Sequence, residues 1–334
     1  MNIDSFYNGK SVLVTGGAGF VGTHLIGYLK SLGANITATI YEKKPQIVET
    51  GVNYLKCDLT KNSDCLKVTR NIDYVFMAAA NSSGAEVMQT TPLVHLTPNI
   101  VMNSQMLAAS YENKVKKFCF ISSNTVYPVT DFAVTEEDAN YNYFHKYFIV
   151  GWMKQFSEIM CDMYSNKIQS PMETLVVRPG NLYGPYDKFT QKDSKVIAAL
   201  IRRGVERQDP FPVWGDGNDL KDFLYVEDFI QGMTQAFIEP SKFQVLNIAS
   251  GIPVTITEVL NTILKVCEFT TADVQYDTSK PTMIPKRLIN VEKIKNITGW
   301  IPNTDLENGL YKTIKWYEEF YKDTSPEEIL LKKL

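Results

Sequence analysis

Three glycines at three-residue spacing follow a short apolar run near the start of the chain. The run covers residues 12–14, and the glycines are Gly16, Gly19 and Gly22. Glycine permits a tight turn from a strand into a helix, lets the backbone approach a pyrophosphate, and allows close packing of helix on strand. The helix N-terminus beyond the turn carries partial positive charge, which favours a phosphate. Between a strand and an apolar-periodic helix, this spacing predicts a dinucleotide-binding turn.

Short apolar runs alternate with amphipathic stretches through the first half of the chain. Strands are predicted at residues 11–15, 35–40, 52–57, 74–79, 117–121 and 173–177, and helices at 24–32, 98–113 and 147–165. Parallel strands joined by helices produce this alternation, with right-handed crossovers. The sequence therefore predicts an α/β fold, a doubly wound parallel sheet of the Rossmann kind.

The pattern changes after Arg178, where Gly and Pro cluster at residues 181–185 and 212–217. A strand is still indicated at 243–248 and a helix at 257–269. We interpret residues 1–178 as the Rossmann domain, completed by returning segments around 221–250. Residues 179–334 are then mainly a smaller substrate-binding lobe.

Charge and composition exclude several classes of protein. The net charge is about −3 with no block of like charges, so a nucleic-acid or membrane-surface role is not expected. No apolar run approaches the roughly 18–20 residues of a membrane span, and the first residues do not resemble a signal peptide. The five cysteines are widely spread without a Cys-x-x-Cys pair, which favours reduced thiols in a cytoplasmic protein. We predict no metal site.

Further motifs, taken with the glycine turn, resemble the extended short-chain dehydrogenase/reductase family. They are Asp58-Leu59 after the third strand, Ala78-Ala79-Ala80 after the fourth, and the segments 122–127, 178–185 and 299–302. Within that family the chain is most similar to the GDP-fucose synthase type, at residues 127–128, 181–189, 213–215, 222–224 and 280–281. The resemblance runs over essentially the whole chain. It implies a nicotinamide cofactor, a nucleoside-diphosphate sugar in the cleft between lobes, and a homodimer built on two long helices.

The resemblance also implies which residues hold the cofactor. They are the three glycines of the turn, Phe20, Val21, Asp58, Leu59, Ala78 and Ala80, with Lys154 on the nicotinamide ribose. NAD-preferring relatives usually end the second strand with an acidic residue for the adenosine 2′-hydroxyl. Here that place is Ile40-Tyr41, with no carboxylate until Glu42, and Lys43 and Lys44 follow. NADP is therefore favoured over NAD, with its 2′-phosphate near Tyr41 and the two lysines, unless these lysines merely solvate a surface loop.

Family members typically carry a Ser or Thr together with Tyr-x-x-x-Lys, whose Tyr and Lys share one helix face. The lysine lowers the pKa of the phenol, and the tyrosine transfers a proton as hydride moves. Ser123 matches the serine and Lys154 the lysine, but Val150 stands four residues before Lys154. A valine cannot move a proton, so the predicted site lacks its usual acid–base group.

Four replacements for this phenol remain open: Tyr147, Lys195, a water held by Ser123, or the substrate itself. Tyr147 is the nearest phenol in sequence, two turns before Lys154. Lys195 stands where enzymes of the GDP-fucose synthase type carry a histidine acid, and burial could lower its pKa, although such a lysine is more often a substrate phosphate or hydroxyl ligand, or exposed. His145 is interpreted as structural or exposed, and Cys119 as core. The dehydratase subclass has Asp-Glu where this chain has Asn124-Thr125, which disfavours sugar 4,6-dehydration.

The resemblance suggests that Asn181, Arg203 and Lys221 contact the nucleotide diphosphate, and arginine suits phosphate oxygens because it pairs bidentately. Trp214, with Val213, is a candidate wall for the base or a packing residue. Ser83, with Ser82, either touches the sugar or ends a loop. These residues do not specify which base is bound.

Two functions of different class follow from these observations. The first is an NAD(P)-dependent enzyme that oxidises, reduces or epimerises a nucleotide sugar, which Ser123, Lys154 and the substrate-lobe motifs favour. The second is a ligand-binding or regulatory protein that kept the nucleotide sites and lost the chemistry, which Val150 favours.

Overall fold

The computed structural model describes residues 2–81, 91, 93–190, 194–280 and 283–321. Its strands are β1 (Ser11–Val14), β2 (Asn35–Ile40), β3 (Asn53–Lys56), β4 (Tyr74–Met77), β5 (Lys117–Ile121), β6 (Glu173–Pro179), β7 (Asn181–Tyr183), β8 (Phe211–Trp214), β9 (Leu220–Tyr225), β10 (Phe243–Ile248), β11 (Pro253–Thr255) and β12 (Val274–Asp277). Its α-helices are α1 (Ile3–Tyr7), α2 (Phe20–Ser31), α3 (Asn62–Val68), α4 (Leu93–Glu112), α5 (Phe148–Asn166), α6 (Val196–Val205), α7 (Val226–Ile238), α8 (Ile256–Val266), α9 (Glu292–Thr298) and α10 (Leu306–Tyr321).

The main sheet has the strand order β10-β6-β5-β4-β1-β2-β3, and every neighbouring pair is parallel. The direction of winding reverses between β1 and β4, which lie side by side although two strands separate them in sequence. In open α/β sheets, ligands bind in the crevice at the carboxyl ends of the strands beside such a reversal. The predicted fold class, a doubly wound parallel sheet, is confirmed.

Apolar side chains cover both faces of this sheet, as expected of parallel strands that carry helices on each side. One cluster includes Val12, Val14 and Phe76 with helices α2 and α7, and the other includes Leu13, Val75 and Phe118 with α3 and α4. Alternate residues of β1 thus enter opposite clusters, which follows from the two-residue period of a strand.

A third apolar cluster lies outside the main sheet, in the second half of the chain. It joins α6, α8 and α10 with the small sheets β11-β9-β7 and β12-β8. Between these elements, α7 and β10 return to the main sheet, where β10 pairs with β6. The exact division at residue 178 stays a prediction.

The fourth helix begins earlier than its predicted start at residue 98. It begins at Leu93, and Pro98 lies inside it. Proline has no N–H, so the carbonyl of Val94, one turn back, loses its helical partner. The side-chain amide of Asn81 donates to that carbonyl at 2.9 Å. This contact between distant residues explains why the helix continues through a residue that usually ends one.

Two further findings bear on the cellular setting. All five cysteines are buried free thiols. In the part of the chain that the structure describes, no helix is both long enough and apolar enough to cross a lipid bilayer.

Candidate active site

The glycine turn between β1 and α2 depends on the absence of side chains. Gly16 has φ +69°, a left-handed conformation, and a Cβ there would lie 2.8 Å from the Cα of Ala79. A Cβ at Gly22 would overlap the carbonyl oxygen of Gly16. Since both clashes are with backbone atoms, no rotamer change relieves them. The turn therefore requires glycine at these two positions.

Hydrogen bonds attach this turn to the neighbouring strand ends. The amide of Gly17 donates to the carbonyl of Thr39 at 2.7 Å, and the amide of Gly16 donates to the Thr39 hydroxyl at 3.2 Å. On the other side, the amide of Ala79 donates to the Thr15 hydroxyl at 3.0 Å. The ends of β1, β2 and β4 are thus held together beside the reversal in strand order.

The N-terminus of α2 has no side-chain cap. Its N-cap is Gly19, which has no side chain to accept a hydrogen bond from the first amides of the helix. A diphosphate can accept these hydrogen bonds and is also favoured by the helix dipole. The turn therefore fits a dinucleotide, with Phe20 and Val21 as the first two helical residues.

The other expected cofactor residues lie at the ends of strands, but their side chains differ in availability. Ala78 and Ala80 follow β4, with Ala80 exposed. Leu59 is buried in the sheet core, so only its backbone is available to a nucleotide. The carboxylate of Asp58 accepts from the Thr60 amide and hydroxyl, at 3.1 and 2.6 Å. Asp58 therefore shapes its own loop.

Beyond β2, the residues expected near the 2′-phosphate are open to solvent. Tyr41 is 55% exposed, and both Lys43 and Lys44 are exposed. The ammonium groups of the two lysines are therefore accessible to an anion.

Ser123 lies directly after β5 and begins a short 3₁₀ turn over Asn124–Val126. Its hydroxyl oxygen accepts from the Thr125 amide at 3.2 Å and from the Thr125 hydroxyl at 3.0 Å. Helix α5 packs against this turn, because a Cβ at Gly151 would lie 2.7 Å from the carbonyl oxygen of Thr125. The start of α5 and the Ser123 turn are therefore in direct contact.

Lys154 reaches from α5 to the same strand end. Its ammonium donates to the carbonyl of Ile121 at 2.7 Å, two residues before Ser123, and lies 4.9 Å from the centroid of the Phe120 ring. Burial of the ammonium lowers its pKa to about 8, against a smaller opposing effect from Glu158. Ser123 and Lys154, the predicted pair, therefore both lie at the carboxyl end of β5.

A buried network of hydrogen bonds and one ion pair lies beside the carboxyl end of β5. Arg178 on β6 forms an ion pair with Glu158 at 2.6 Å, and both side chains are 5% exposed. Ser122 donates a hydrogen bond to Glu158, and Arg178 donates to the Tyr127 hydroxyl at 3.0 Å. Because Ser122 precedes Ser123 in the chain, the network fixes the backbone that carries the predicted catalytic hydroxyl.

Val150 is the third residue of α5, one turn before Lys154. Residues four apart lie on one helix face, so Val150 and Lys154 share theirs. Val150 is partly buried. The assignment of Val150 to the acid–base position stays a prediction.

Tyr147 is the N-cap of α5 and lies outside the helix. Burial raises the pKa of its phenol to about 12, although the nearby Arg287 lowers it. Arg287 is 2% exposed and donates to the carbonyls of Pro128 and Tyr127, at 2.8 and 3.1 Å. Tyr147 is thus a weak acid beside a buried cation that sequence reasoning did not identify.

Lys195 is 58% exposed and lies beside the cofactor helix. Its ammonium is 3.8 Å from the Asp187 carboxylate and 5.5 Å from the centroid of the Phe20 ring. The preceding segment rests on the same helix, since His24 hydrogen-bonds the carbonyl of Pro185 at 2.9 Å. Lys195 is therefore adjacent to the N-terminus of α2, where the cofactor phosphates are expected.

The expected substrate residues already have partners within the protein. Asn181 donates to the carbonyl of Asp222 at 3.0 Å, and Arg203 to that of Pro212 at 2.9 Å. Lys221 pairs with Asp219 at 3.1 Å and also donates to the carbonyl of Ile284. Burial lowers the pKa of both Arg203 and Lys221. A diphosphate would have to share these groups.

Five residues named in the sequence analysis remain to be placed. Trp214 is 42% exposed, at the end of β8. Ser82 and Ser83 lie outside the described residues. His145 is exposed, and Cys119 is buried in the core as expected.

Sequence reasoning missed several residues that shape the site. Thr39 and Thr15 hold the glycine turn, Thr125 donates to Ser123, and Arg287 lies near Tyr147. A threonine at the end of an apolar run was the available signal for Thr15 and Thr39. No local signal distinguishes Arg287 from an exposed arginine.

The sequence pattern of the NAD dependent epimerase/dehydratase family matches residues 12–249. That span contains the glycine turn, Ser123 and Lys154. The chain belongs to this family. The expected membership is thereby confirmed, including the resemblance to GDP-fucose synthase-like enzymes.

Curated relatives cover nearly the whole chain. A GDP-L-fucose synthase from Sinorhizobium fredii is 28% identical over 334 residues, spanning 95% of this chain and 98% of the relative. A GDP-mannose 3,5-epimerase from Oryza sativa subsp. indica is 29% identical, spanning 92% and 82%. Among solved structures, a Thermus thermophilus UDP-glucose 4-epimerase in complex with NAD has a TM-score of 0.82 at 21% identity, spanning 93% and 99%. The last similarity shows the fold alone.

Proposed function

We propose that this chain is an NAD(P)-dependent enzyme that reduces or epimerises a nucleoside-diphosphate sugar. The observation that carries the proposal is the pairing of Ser123 and Lys154 at the carboxyl end of β5, on the edge that also carries the glycine turn. A bound nicotinamide supplies or accepts the hydride. The Ser123 hydroxyl is suited to donate a hydrogen bond to the reacting sugar oxygen, and Lys154 to hold the nicotinamide ribose.

NADP is the preferred cofactor in this proposal. Support comes from the end of β2, where Ile40 and Tyr41 stand in place of a carboxylate, and the exposed Lys43 and Lys44 follow after Glu42. The 2′-phosphate brings negative charge, which two lysines attract and a carboxylate would repel. The family as such is NAD dependent.

The substrate class rests on the relatives and on basic residues of the second half. The curated relatives are named for GDP-linked sugars. Arg203 and Lys221 supply positive charge, and Trp214 supplies a partly exposed ring. We assign the nucleoside diphosphate to these residues, with the sugar directed toward Ser123. The base and the sugar are left open.

A homodimer is also proposed. Helix α5 has exposed apolar side chains at Phe148, Trp152, Ile159 and Met163, which recur on one helical face. Such a stripe is typical of a protein interface. Analytical ultracentrifugation should show a dimer, and Trp152→Glu should shift it toward monomer.

The five free thiols agree with a cytoplasmic location.

The competing function is a silent binding or regulatory protein, because Val150 cannot transfer a proton. The two are separated by mixing the protein with NADPH or NADP and a panel of GDP-, UDP- and dTDP-linked sugars, including 4-dehydro-6-deoxy forms. Turnover appears as a change in absorbance near 340 nm, while an epimerase without net redox change is read by NMR of the sugar. Binding of both ligands with no conversion would favour the silent protein.

The substrate assignment makes a separate prediction for Arg203. Arg203→Ala should weaken binding of the nucleotide sugar about tenfold or more, roughly 1.4 kcal/mol, and leave NADPH binding within twofold. Titration calorimetry measures both. Arg207→Ala is the matched control, since Arg207 contacts carbonyls at the end of α8 instead. Equal loss of both ligands would mean that Arg203 is structural.

A further inference from the structure

The missing phenol leaves Lys154 as the first ionisable residue of α5. Val150 and Lys154 are separated by one helical turn and share a face. Valine lacks the whole phenol ring, so it does not fill the space that a tyrosine would occupy between the lysine and a reacting sugar oxygen. In the proposal developed below, a substrate oxygen or one water occupies that space.

The ammonium of Lys154 has one hydrogen-bond acceptor and still has N–H donors to spare. A lysine has three N–H donors, and Lys154 uses one on the carbonyl of Ile121 at 2.7 Å. Among the described residues, no other acceptor contacts it. This single bond fixes the nitrogen at the end of β5, two residues from Ser123, and leaves donors for a ligand.

The surroundings favour a proton that is easily released. Burial over the Phe120 ring lowers the pKa of Lys154 to about 8. Glu158 on the next turn opposes this effect, but it forms an ion pair with Arg178 and also accepts from Ser122. A proton carrier works best when its pKa lies near the operating pH. Lys154 meets this condition while remaining mostly protonated at neutral pH.

The other two side chains considered as proton carriers are less suited to that role. The pKa of Tyr147 is raised to about 12, far from neutrality. Lys195 is 58% exposed and lies against Phe20 on the cofactor helix rather than at the end of β5. Neither has a contact that directs it to Ser123.

We propose that Lys154 is itself the proton carrier of this site, taking the part that a tyrosine plays in relatives. The inference rests on the proposed function. In the reductive direction, the sugar carbonyl carbon takes up a hydride with its two electrons from a reduced nicotinamide. At the same time an N–H bond of Lys154 breaks, and its proton forms an O–H bond at the carbonyl oxygen. The neutral amine then takes a proton from water.

A first test measures the lysine without turnover. Lysines are acetylated briefly with acetic anhydride between pH 6 and 11, and the modified fraction of each is read by mass spectrometry. We expect half-maximal reactivity of Lys154 near pH 8, well below the 10.4 of an unperturbed lysine, and protection of Lys154 by NADP. A midpoint at pH 10 or above, or no protection, would overturn the proposal.

A second test uses single-turnover hydride transfer between pH 6 and 10. Lys154→Arg keeps a cation and its donors but cannot release a proton. Its rate should fall about 100-fold or more, and the limb near pH 8 should vanish, while NADPH and nucleotide-sugar binding stay within threefold. Adding Val150→Tyr should recover at least tenfold, because a phenol again lies one turn from a cation. Lys167→Arg, at the exposed end of α5, is the matched control.

The outcomes separate this proposal from the proposed function. A Lys154→Arg enzyme within threefold of the wild-type rate, or a double variant without recovery, overturns the role of Lys154 alone. A wild-type protein that binds NADPH and nucleotide sugars but converts none of them overturns the proposed function instead.

Discussion

The glycine turn and the start of α5 lie at the same edge of the sheet but differ in what determines them. In the turn, backbone atoms set the requirement, since a Cβ at Gly16 or Gly22 would collide with other backbone. At the start of α5, Val150 is partly buried, and nothing in the described contacts demands a phenol there. A binding site built from main chain is thus tied to the fold, whereas a proton carrier is one replaceable side chain.

This difference fits a chain that keeps the glycine turn while, as predicted, departing from the family pattern at Val150 and Lys195. The turn cannot change without loss of packing between β1 and α2. The acid–base position can change with little effect on folding, provided that the helix remains. Substitutions in the turn and at the acid–base site test this difference.

The largest effect is expected at Gly22. Gly22→Ala places a Cβ onto the carbonyl oxygen of Gly16, so the turn must open. We expect NADPH binding to weaken at least 100-fold, about 2.7 kcal/mol, together with a lower melting temperature. Gly27→Ala is the control on the same helix, because its nearest atom would be 3.9 Å away. Replacing that glycine should stabilise α2 by roughly 0.5–1 kcal/mol. Similar behaviour of the two variants would refute the steric argument.

A moderate effect of opposite sign, a gain in the stability of the fold, is expected when Lys154 is replaced. Its pKa in the folded protein, about 8, lies below the ordinary 10.5. The unfolded chain therefore holds more protons between these values, so this lysine destabilises the fold fully below pH 8 and progressively less up to about pH 10.5. Lys154→Met removes a cost of at most about 3 kcal/mol but leaves the Ile121 carbonyl unpaired, a loss of about 1 kcal/mol or more.

We expect Lys154→Met to be about 1–2 kcal/mol more stable than wild type at pH 7, with the gain gone by pH 10.5. Urea unfolding at the two pH values measures this difference. Lys167→Met, on the exposed end of α5, should show no such dependence. A variant less stable than wild type at pH 7 would show that Lys154 supports the fold rather than function alone.

The smallest effect concerns side chains around the cofactor rather than its turn. Replacing Lys43 and Lys44 together by alanine should weaken NADP binding about three- to tenfold and leave NAD binding within twofold. Exposed charges contribute modestly, and the loss should shrink at high salt. Titration calorimetry at two salt concentrations tests this, with Lys67→Ala on α3 as control. Unchanged NADP binding would place the 2′-phosphate elsewhere.

The main sheet could be predicted from sequence because its strands are short apolar runs that each carry their own signal. β2, β5 and β10 begin and end at the predicted residues. The small strands of the second half carried no such signal. β8 and β12 are each four residues long, and their pairing joins distant parts of the chain. The start of α4 was missed because its continuity through Pro98 depends on Asn81.

The site shows the same limit. Glycine spacing and the Ser123 motif predict positions that the backbone determines locally. Burial lowers the pKa of Lys154 and Glu158 opposes the shift, and both effects arise only after folding. Sequence reasoning therefore identified Lys154 as a partner to a tyrosine and not as a proton carrier in its own right.

The segment that precedes α6 links the two predicted ligand sites. His24 of the cofactor helix holds the carbonyl of Pro185, and Lys195 lies over the ring of Phe20. These two contacts join the cofactor helix to residues that precede α6, the helix that carries Arg203. Coupling through such contacts is reciprocal, so each ligand changes the affinity for the other by the same factor. Titration of either ligand in the presence of the other should therefore give one and the same ratio of dissociation constants.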